Sequence, residues 1–378
     1  MPDLTDAQSA ALATVLAAGP KVRRLAALFE RAGHELYLVG GSVRDALMGR
    51  LGNDLDYTTS ARPDEIEALV RQVTRAVWDV GRAFGTIACR IHEDDGEEWV
   101  VEITTFRDDT YSDHTRKPEV SFGDHLGGDL VRRDFTVNAM ALRLTDGELL
   151  DPFGGLRDLA AQVIRTPAAA ELSFSDDPLR MMRAARFASQ LGFEPDSDVV
   201  VAMTAMASRI TIVSAERVRD ELTKLLLTDN PRPGLNLLVD TGLAEIVLPE
   251  LPALRMERDE HNRHKDVYEH TLTVLDQAIA LEKARGHAPD LVNRLAAILH
   301  DIGKPRTRRF EPGGKVSFHH HDVVGAKLAT KRMQALRFAT EDTKAVAKLV
   351  ELHLRFHGYS DGEWTDAAVR SYVRDAGD

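Results

Sequence analysis

Apolar residues recur at helical spacing from Val15 and Leu16 through Val22, Leu25, Leu28 and Phe29, and the run stops at Gly33. That spacing predicts a helical opening. The pattern then shortens. Leu36 to Val39 is a compact apolar run broken by Gly40 and Gly41, after which Val43 to Leu47 begins a helix. Leu55 and Tyr57 lie between polar residues, and Thr86 to Ile91 and Trp99 to Phe106 read as strands. Between Asp108 and Asp129 the chain is polar, with Pro118, Gly123, Gly127 and Gly128 as breakers. This predicts a mobile loop with a short strand around Val120 and Phe122.

From Pro178 the pattern is helical almost to the end. Asp177 followed by Pro178 reads as a helix start, a side-chain cap with proline at the first position, and Gly192 as its stop. Further helices are predicted over 198–208, 214–227, 233–240, 266–284, 290–300, 322–335, 341–353 and 365–374, with Pro249 and Pro252 marking a boundary. The fold class is therefore α+β, a small mixed-sheet head ahead of an all-helical remainder, with no internal repeat.

At 378 residues the chain is long enough for two or three cores. A single cysteine, Cys89, excludes a disulfide framework and fits a reducing compartment. No apolar run is long enough to span a bilayer and the first residues do not resemble a signal peptide, so the expected location is the cytoplasm. The formal net charge of -12 argues at first against a nucleic-acid partner. Counting by segment changes that: residues 1–34 carry 4 basic and 3 acidic side chains, 35–130 carry 10 and 20, 131–234 carry 13 and 15, and 235–378 carry 21 and 22. Nearly all the excess lies in one block, so the helical segments remain able to present a basic face to RNA. Within that block, Glu93 to Glu98 is expected to be a solvated hairpin.

The acidic block also holds the sharpest chemical signal. Asp54 and Asp56, two residues apart on an extended strand, project from one face and can share a divalent cation. Glu102 stands alone in another apolar strand, where a carboxylate is costly unless paired or metal-bound. Three converging carboxylates favour Mg²⁺, which keeps positions open for substrate phosphates. Gly40 and Gly41 precede a helix and let backbone N–H groups approach a phosphate. Gly41 lies 13 positions ahead of Asp54, and together they form a nucleotidyltransferase pattern.

Five segments in order, LVGGSVRDALMG with DLDY, RRDFTVNAMAL, DPFGGLRDL and DDPLRMMRAARF, resemble the class II tRNA nucleotidyltransferases, the CCA-adding enzymes related to bacterial poly(A) polymerases. The resemblance runs from about residue 36 to 193. It implies that Asp54, Asp56 and Glu102 are catalytic, with Mg²⁺ on Asp54 and Asp56, and that Gly40, Gly41, Arg44 and Arg133 hold the triphosphate. Arginine suits that task through bidentate contacts, although Arg133 and Asp134 could instead form a structural ion pair. Asp151 to Gly155 reads as a supporting turn.

Arg180, Arg183 and Arg186 recur every three residues and so form a slowly turning stripe, opposite Met182 and Phe187. A carboxylate accepting from an exocyclic amino group and an arginine donating to a ring nitrogen would accept cytosine and adenine and reject uracil and guanine. By resemblance Asp177 and Arg180 are that template for CTP and ATP, with Arg183 and Arg186 as further nucleotide contacts. Asp177 is also the expected helix cap; if capping consumes it, Asp176 must read the base.

Ten of the 14 histidines fall after residue 250, which is clustering rather than scatter. Tyr268-Glu269-His270, the run Leu299 to Lys304, His319 to Asp322, and His353 resemble an HD domain, a helical phosphohydrolase module. Such a module implies a transition-metal site from His270, His300, Asp301, His321 and His353, while His319 and His320 are expected to be exposed. The final carboxylate ligand normally lies further along, so either a C-terminally truncated chain or a short variant of the module is expected.

The sequence thus predicts a head over 1–165, a helical neck that binds nucleobase and RNA over 166–252, and an HD-type body over 253–378. The expected reaction adds CCA to tRNA 3′ ends from CTP and ATP and releases pyrophosphate. Polyadenylation, or addition of only CC or only A, shares the same fold. An HD phosphohydrolase with an RNA-binding head is the alternative of another class. Oligomeric state is not readable from the chain.

Overall fold

The computed structural model describes residues 4–16, 20–50, 52, 54–107, 123, 125–256, 266–312, 316–356 and 366–376. It divides into two compact units, the first covering Met1–Asp177 with Glu194–Val199 and the second Pro178–Phe193 with Val200–Asp378.

In unit 1, the opening apolar pattern forms two helices, α1 (Asp6–Leu16) and α2 (Pro20–Arg31). They lead into β1 (Leu36–Val39), α3 (Gly41–Leu47), β2 (Asp54–Thr59), α4 (Pro63–Val70), β3 (Val77–Gly81), β4 (Thr86–His92) and β5 (Glu98–Thr105). Then come α5 (Leu126–Val131), β6 (Ala141–Arg143), β7 (Leu149–Leu150), α6 (Gly155–Ala161), β8 (Val163–Ile164) and α7 (Ala170–Asp176). Seven strands make one sheet in the order β3-β4-β5-β2-β1-β6-β7, and β2 and β5 are its parallel pair.

Alternation along β5 sorts the two faces: Trp99, Val101, Ile103 and Thr105 are buried, while Val100, Glu102 and Thr104 are partly open. The buried face packs on α2 and α4, whose Leu25, Phe29, Ile66 and Val70 are almost wholly enclosed. Part of the other face, near β1 and β6, is covered by an apolar cluster. There Tyr37, Val39, Phe106 and Ala141 form a core with Leu130 of α5, joined by Leu126, Leu150 and Phe153.

Two expectations for this unit are corrected. Residues 126–131 form α5 rather than loop, because Leu126 and Leu130, four residues apart, have that apolar cluster to cover. The expected strand around Val120 and Phe122 lies outside the described residues. In the 93–98 hairpin, Glu93 is buried rather than solvated; its carboxylate accepts from the Lys21 backbone N–H at 2.9 Å and so satisfies the first turn of α2.

Unit 2 begins with α8 (Leu179–Leu191). Asp177 is extended (φ -139°, ψ 99°) and closes α7, while Pro178 (φ -59°, ψ -19°) is the N-cap of α8, so the helix starts one residue later than expected. Gly192 ends α8 in the left-handed conformation, φ 72°. A two-residue strand, β9 (Glu194–Pro195), returns to unit 1 and pairs with β8. The helices α9 (Ser197–Met206), α10 (Ala215–Leu226), α11 (Arg232–Asp240), α12 (Ala244–Val247), α13 (Val267–Ala284), α14 (Leu291–Leu299) and α15 (Lys304–Thr307) follow. A hairpin of β10 (Arg309–Phe310) and β11 (Val316–Ser317) leads to α16 (His321–Ala335), α17 (Thr340–Leu352) and α18 (Asp366–Ala376). Arg294 on α14 is fully buried, donating to Glu282 at 2.8 Å and to the carbonyls of Leu226 and Thr228 at 2.7 Å, which ties the end of α10 to α13 and α14.

Candidate active site

Asp54 and Asp56 begin β2, and Asp56 lies directly across from Glu102 on β5 in the parallel register. All three belong to the face that α5 leaves uncovered. Burial pushes the Asp56 carboxyl above the ordinary carboxylate range, with Arg133 opposing and Asp54 adding to the shift. Burial does the same to Glu102, reinforced by Asp56 and Asp54. Like charges crowded in this way favour a cation among them, so the donor set fits an oxygen-loving divalent metal.

Gly40 sits beside this pair with φ 69°, a conformation that suits glycine. A Cβ there would lie 2.9 Å from Arg133 Nη1 and 4.0 Å from Asp56 Oδ2, so the missing side chain lets guanidinium, backbone and carboxylate come together. Ser42, two residues further, locks the strand in place: its Oγ accepts from the Asp56 backbone N–H at 3.1 Å and donates to the Asp54 carbonyl at 3.2 Å.

Arg133 is held from α5. The wholly buried Asp129 carboxylate accepts from Arg132 and from Arg133, each at 2.9 Å. Burial would raise the Asp129 carboxyl, but Arg133 and Arg132 outweigh it and hold it below the usual range. The structural partner of Arg133 is therefore Asp129, not Asp134. Asp134 instead accepts from Asn138 Nδ2 and the Phe135 N–H at 2.9 Å each, and Asn138 accepts from Arg44 Nη1 at 2.7 Å. Arg44 is 5% exposed and also donates to Asp45 at 2.8 and 2.9 Å, so its guanidinium braces α3 against the segment after Arg133. Asp151 accepts from the N–H groups of Gly155 and Leu156 at 2.6 and 2.9 Å and caps α6, the supporting task expected of that turn.

The two members of the expected template fall at the unit boundary, Asp177 as the last residue of unit 1 and Arg180 in the first turn of α8. Arg180 and Arg186 are buried, while Arg183 is about one-third exposed. Arg186 donates to Glu221 at 2.7 Å and to Gln190 at 2.6 Å and lies over the Phe187 ring at 4.1 Å. Phe187 is therefore under the arginine stripe and not opposite it, since Arg183 also approaches that ring at 5.6 Å.

A second cluster lies in the helical unit. Asp301, just after α14, has His300 Nε2 at 3.1 Å, Lys304 Nζ at 2.9 Å, His321 Nε2 at 3.2 Å, and His270 and His353 Nε2 at 3.8 Å. The Nδ1 atoms of His300, His321 and His353 face the carbonyls of Ala297, Phe318 and Val350 at 2.8, 2.8 and 2.6 Å. A carbonyl only accepts, so each Nδ1 carries the proton and each Nε2 of a neutral ring turns a lone pair inward. His321 Nε2 and His353 Nε2 are 3.2 Å apart, an approach that needs a proton or a cation between them.

Burial would raise the Asp301 carboxyl, but hydrogen bonds from the His300 and His321 rings when both of their nitrogens are protonated, and the charge of Lys304, hold it far below its ordinary range. Burial and the neighbouring His300 lower the His353 ring to about 4, while Asp301 raises that of His321 against burial. Among the described residues, His270, His300 and Asp301 form one compact ligand group and Asp301, His321 and His353 another. All five residues expected at this site come together, and His319 and His320 are exposed.

Residues 36–165 match the family described as Poly A polymerase head domain, 192–254 the probable RNA and SrmB-binding site of polymerase A, and 267–374 the HD domain. A CCA-adding enzyme of Geobacillus thermodenitrificans is 38% identical over 301 residues, 79% of this chain and 67% of that protein. An A-adding tRNA nucleotidyltransferase of Deinococcus radiodurans is 38% identical over 323 residues, 84% of this chain and 68% of that one. The chain belongs to the tRNA nucleotidyltransferase family.

Other members of the tRNA nucleotidyltransferase family are covered less fully; the chain spans 54% of the Bacillus subtilis CCA-adding enzyme at 42% identity. A crystal structure of the Bacillus stearothermophilus CCA-adding enzyme in complex with CTP matches with TM-score 0.62 and 28% identity, over 94% of this chain and 76% of that one. The Thermotoga maritima CCA-adding enzyme complexed with tRNA, 20% identical with TM-score 0.59 over 97% and 85% of the two chains, shares the fold. As a tRNA nucleotidyltransferase, this chain places two residues at its site that pattern alone did not single out, Ser42 and Asp129. Asp129 could have been found from its place three and four residues before Arg132 and Arg133 on one helix.

Among the described residues no helix is long and apolar enough to cross a membrane.

Proposed function

We propose that the protein adds CCA to tRNA 3′ ends, using CTP and ATP and releasing pyrophosphate. The observation that carries this reading is the placement of Asp56 between Glu102, across the sheet, and the Gly40 turn with Arg133. The RNA 3′-hydroxyl attacks the α-phosphorus of the nucleotide; the new P–O bond forms as the bond to pyrophosphate breaks. Mg²⁺ on Asp54 and Asp56, with Glu102 in support, would supply Lewis-acid stabilisation of the attacking and leaving oxygens. The Gly40 and Gly41 backbone and Arg133 hold the triphosphate, and Arg44 keeps that turn in register through Asn138.

Asp177 and Arg180 read the base edge, Arg183 offers a more exposed guanidinium to the nucleotide, and Arg186 steadies the stripe through Glu221. The helical segments hold tRNA by shape and backbone in the cytoplasm, where that substrate is found. The head, neck and HD-type divisions at 1–165, 166–252 and 253–378 give these tasks to separate parts of the chain. A transition-metal ion suits the five-residue His and Asp cluster of the body.

A second reading, addition of the terminal A alone, is favoured by the Deinococcus radiodurans relative, whose match covers 84% of this chain. Asp56→Ala tests the shared chemistry: incorporation is lost while the melting temperature is kept. Normal incorporation by that variant contradicts the reading.

A further inference from the structure

One cross-strand row runs over the open face of the sheet: Asp56 on β2, Glu102 on β5, Ala88 on β4 and Trp78 on β3, each directly opposite the next. The rows on either side differ from it. One passes through Asp54, Val100 and Arg90, and the other through Thr58, Thr104 and Thr86. Trp78 is 40% exposed on the outermost strand, among the few large apolar side chains left open in the head. Ala88, between Trp78 and Glu102, is small and 1% exposed, so it is enclosed by its neighbours and the row is open to solvent at Trp78 and, in part, at the carboxylates. Strand spacing puts Trp78 about 10 Å from Glu102 along the row.

The two flanks of the carboxylates are chemically distinct. Toward β1 lie Gly40 and the Arg133 guanidinium, held by Asp129, which suit a triphosphate. Toward β3 lie Ala88 and the exposed Trp78, which offer no charge but a flat π surface, suited to a nucleobase. The two reactants must meet at the carboxylates from opposite sides, and the triphosphate side is defined by the arginine.

We propose that Trp78 is a stacking platform for the 3′-terminal nucleobase of the RNA, with the ribose directed along the row so that the attacking hydroxyl reaches Asp56 and Glu102. This rests on the nucleotidyltransferase reading above. It makes Trp78 a determinant of RNA binding rather than of incoming-nucleotide binding. Any base presents a π face, so the platform accepts the discriminator base, C or CC ends alike, as successive additions require.

The test uses the full chain, an acceptor-stem minihelix ending in CC, and ATP as the added nucleotide. Trp78→Ala is expected to raise KM for the minihelix roughly tenfold, the range of one base–aromatic stack, and to leave KM for ATP within about twofold. Trp78→Phe is expected to restore most of the loss. The minihelix alone, without nucleotide, should quench tryptophan fluorescence in the wild type and not in Trp78→Phe, a readout that a purely structural side chain would not move. An unchanged KM for the minihelix, an equal rise in KM for ATP, or quenching that survives in Trp78→Phe overturns the assignment. Failure of the wild type to extend any RNA would overturn the parent reading itself, whereas extension with kinetics indifferent to Trp78 overturns only this inference.

Discussion

Arg133 donates to the buried carboxylate of Asp129 across 2.9 Å, and a guanidinium nitrogen of the same residue lies 2.9 Å from where a Cβ on Gly40 would stand. A completely enclosed acid on α5 thus fixes the position of the arginine expected to meet the triphosphate. Asp129→Ala leaves two arginines without their buried partner, a change that costs about 3–5 kcal/mol in comparable sites. The expected result is a clear fall in melting temperature. KM for CTP and ATP should rise roughly tenfold, the value of one charged hydrogen bond. Calorimetry and steady-state kinetics on one preparation check both parts.

Gly40→Ala probes the same junction from the backbone. The left-handed conformation at φ 69° costs a non-glycine residue about 1–2 kcal/mol, and the new methyl would displace Arg133. Nucleotide incorporation measured as kcat/KM is expected to drop at least about tenfold, with KM for RNA little changed.

Glu102 and Asp56 have carboxyls pushed upward by burial and by one another. An acid whose folded value is raised binds its proton more tightly when native, so stability falls as pH rises through that window and the full penalty stands above it. Glu102→Gln is therefore expected to melt higher than the wild type at pH 7.5 in EDTA while losing activity. Added Mg²⁺ should raise the wild-type melting temperature and close the gap. A Glu102→Gln protein that melts lower than the wild type in EDTA contradicts this account.

The His353 ring, lowered to about 4, works in the opposite direction. A histidine whose folded value is depressed contributes fully above its unfolded value near 6.5, and the contribution is lost as pH falls toward 4, because only the unfolded chain takes up the proton. In EDTA the wild type should lose on the order of 3 kcal/mol between those limits, and His353→Gln should lose less. Ni²⁺ or Co²⁺ should stabilise the wild type near pH 7.5 and fail to stabilise Asp301→Asn, as differential scanning fluorimetry can show.

Much of this was legible in the chain. The Asp54 and Asp56 pair, Glu102 and the Gly40 turn announce themselves because strand alternation and glycine freedom are local properties. The five HD-type residues were readable as a set, since a His-Asp pair at a helix end is a short motif. What could not be read is long-range pairing. Whether Arg133 meets Asp134 or Asp129 depends on α5 docking over Tyr37 and Val39, and polar breakers hid that short helix. Glu93 looked solvated because its partner, the first turn of α2, lies 72 residues earlier in the chain. The row from Asp56 to Trp78 needs the sheet order, which no single strand encodes.

Nucleotide addition to tRNA at the head carboxylates is read from the length of the product. Transcripts ending at the discriminator base, at C and at CC are each incubated with CTP, ATP or both in Mg²⁺, beside the Asp56→Ala protein. Products that all converge on the CCA end are expected when both nucleotides are present, and none from Asp56→Ala. Extension of only the CC-ending transcript, and only with ATP, would replace CCA addition by terminal A addition. Absence of any extension by the wild type, or equal extension by Asp56→Ala, would contradict the account.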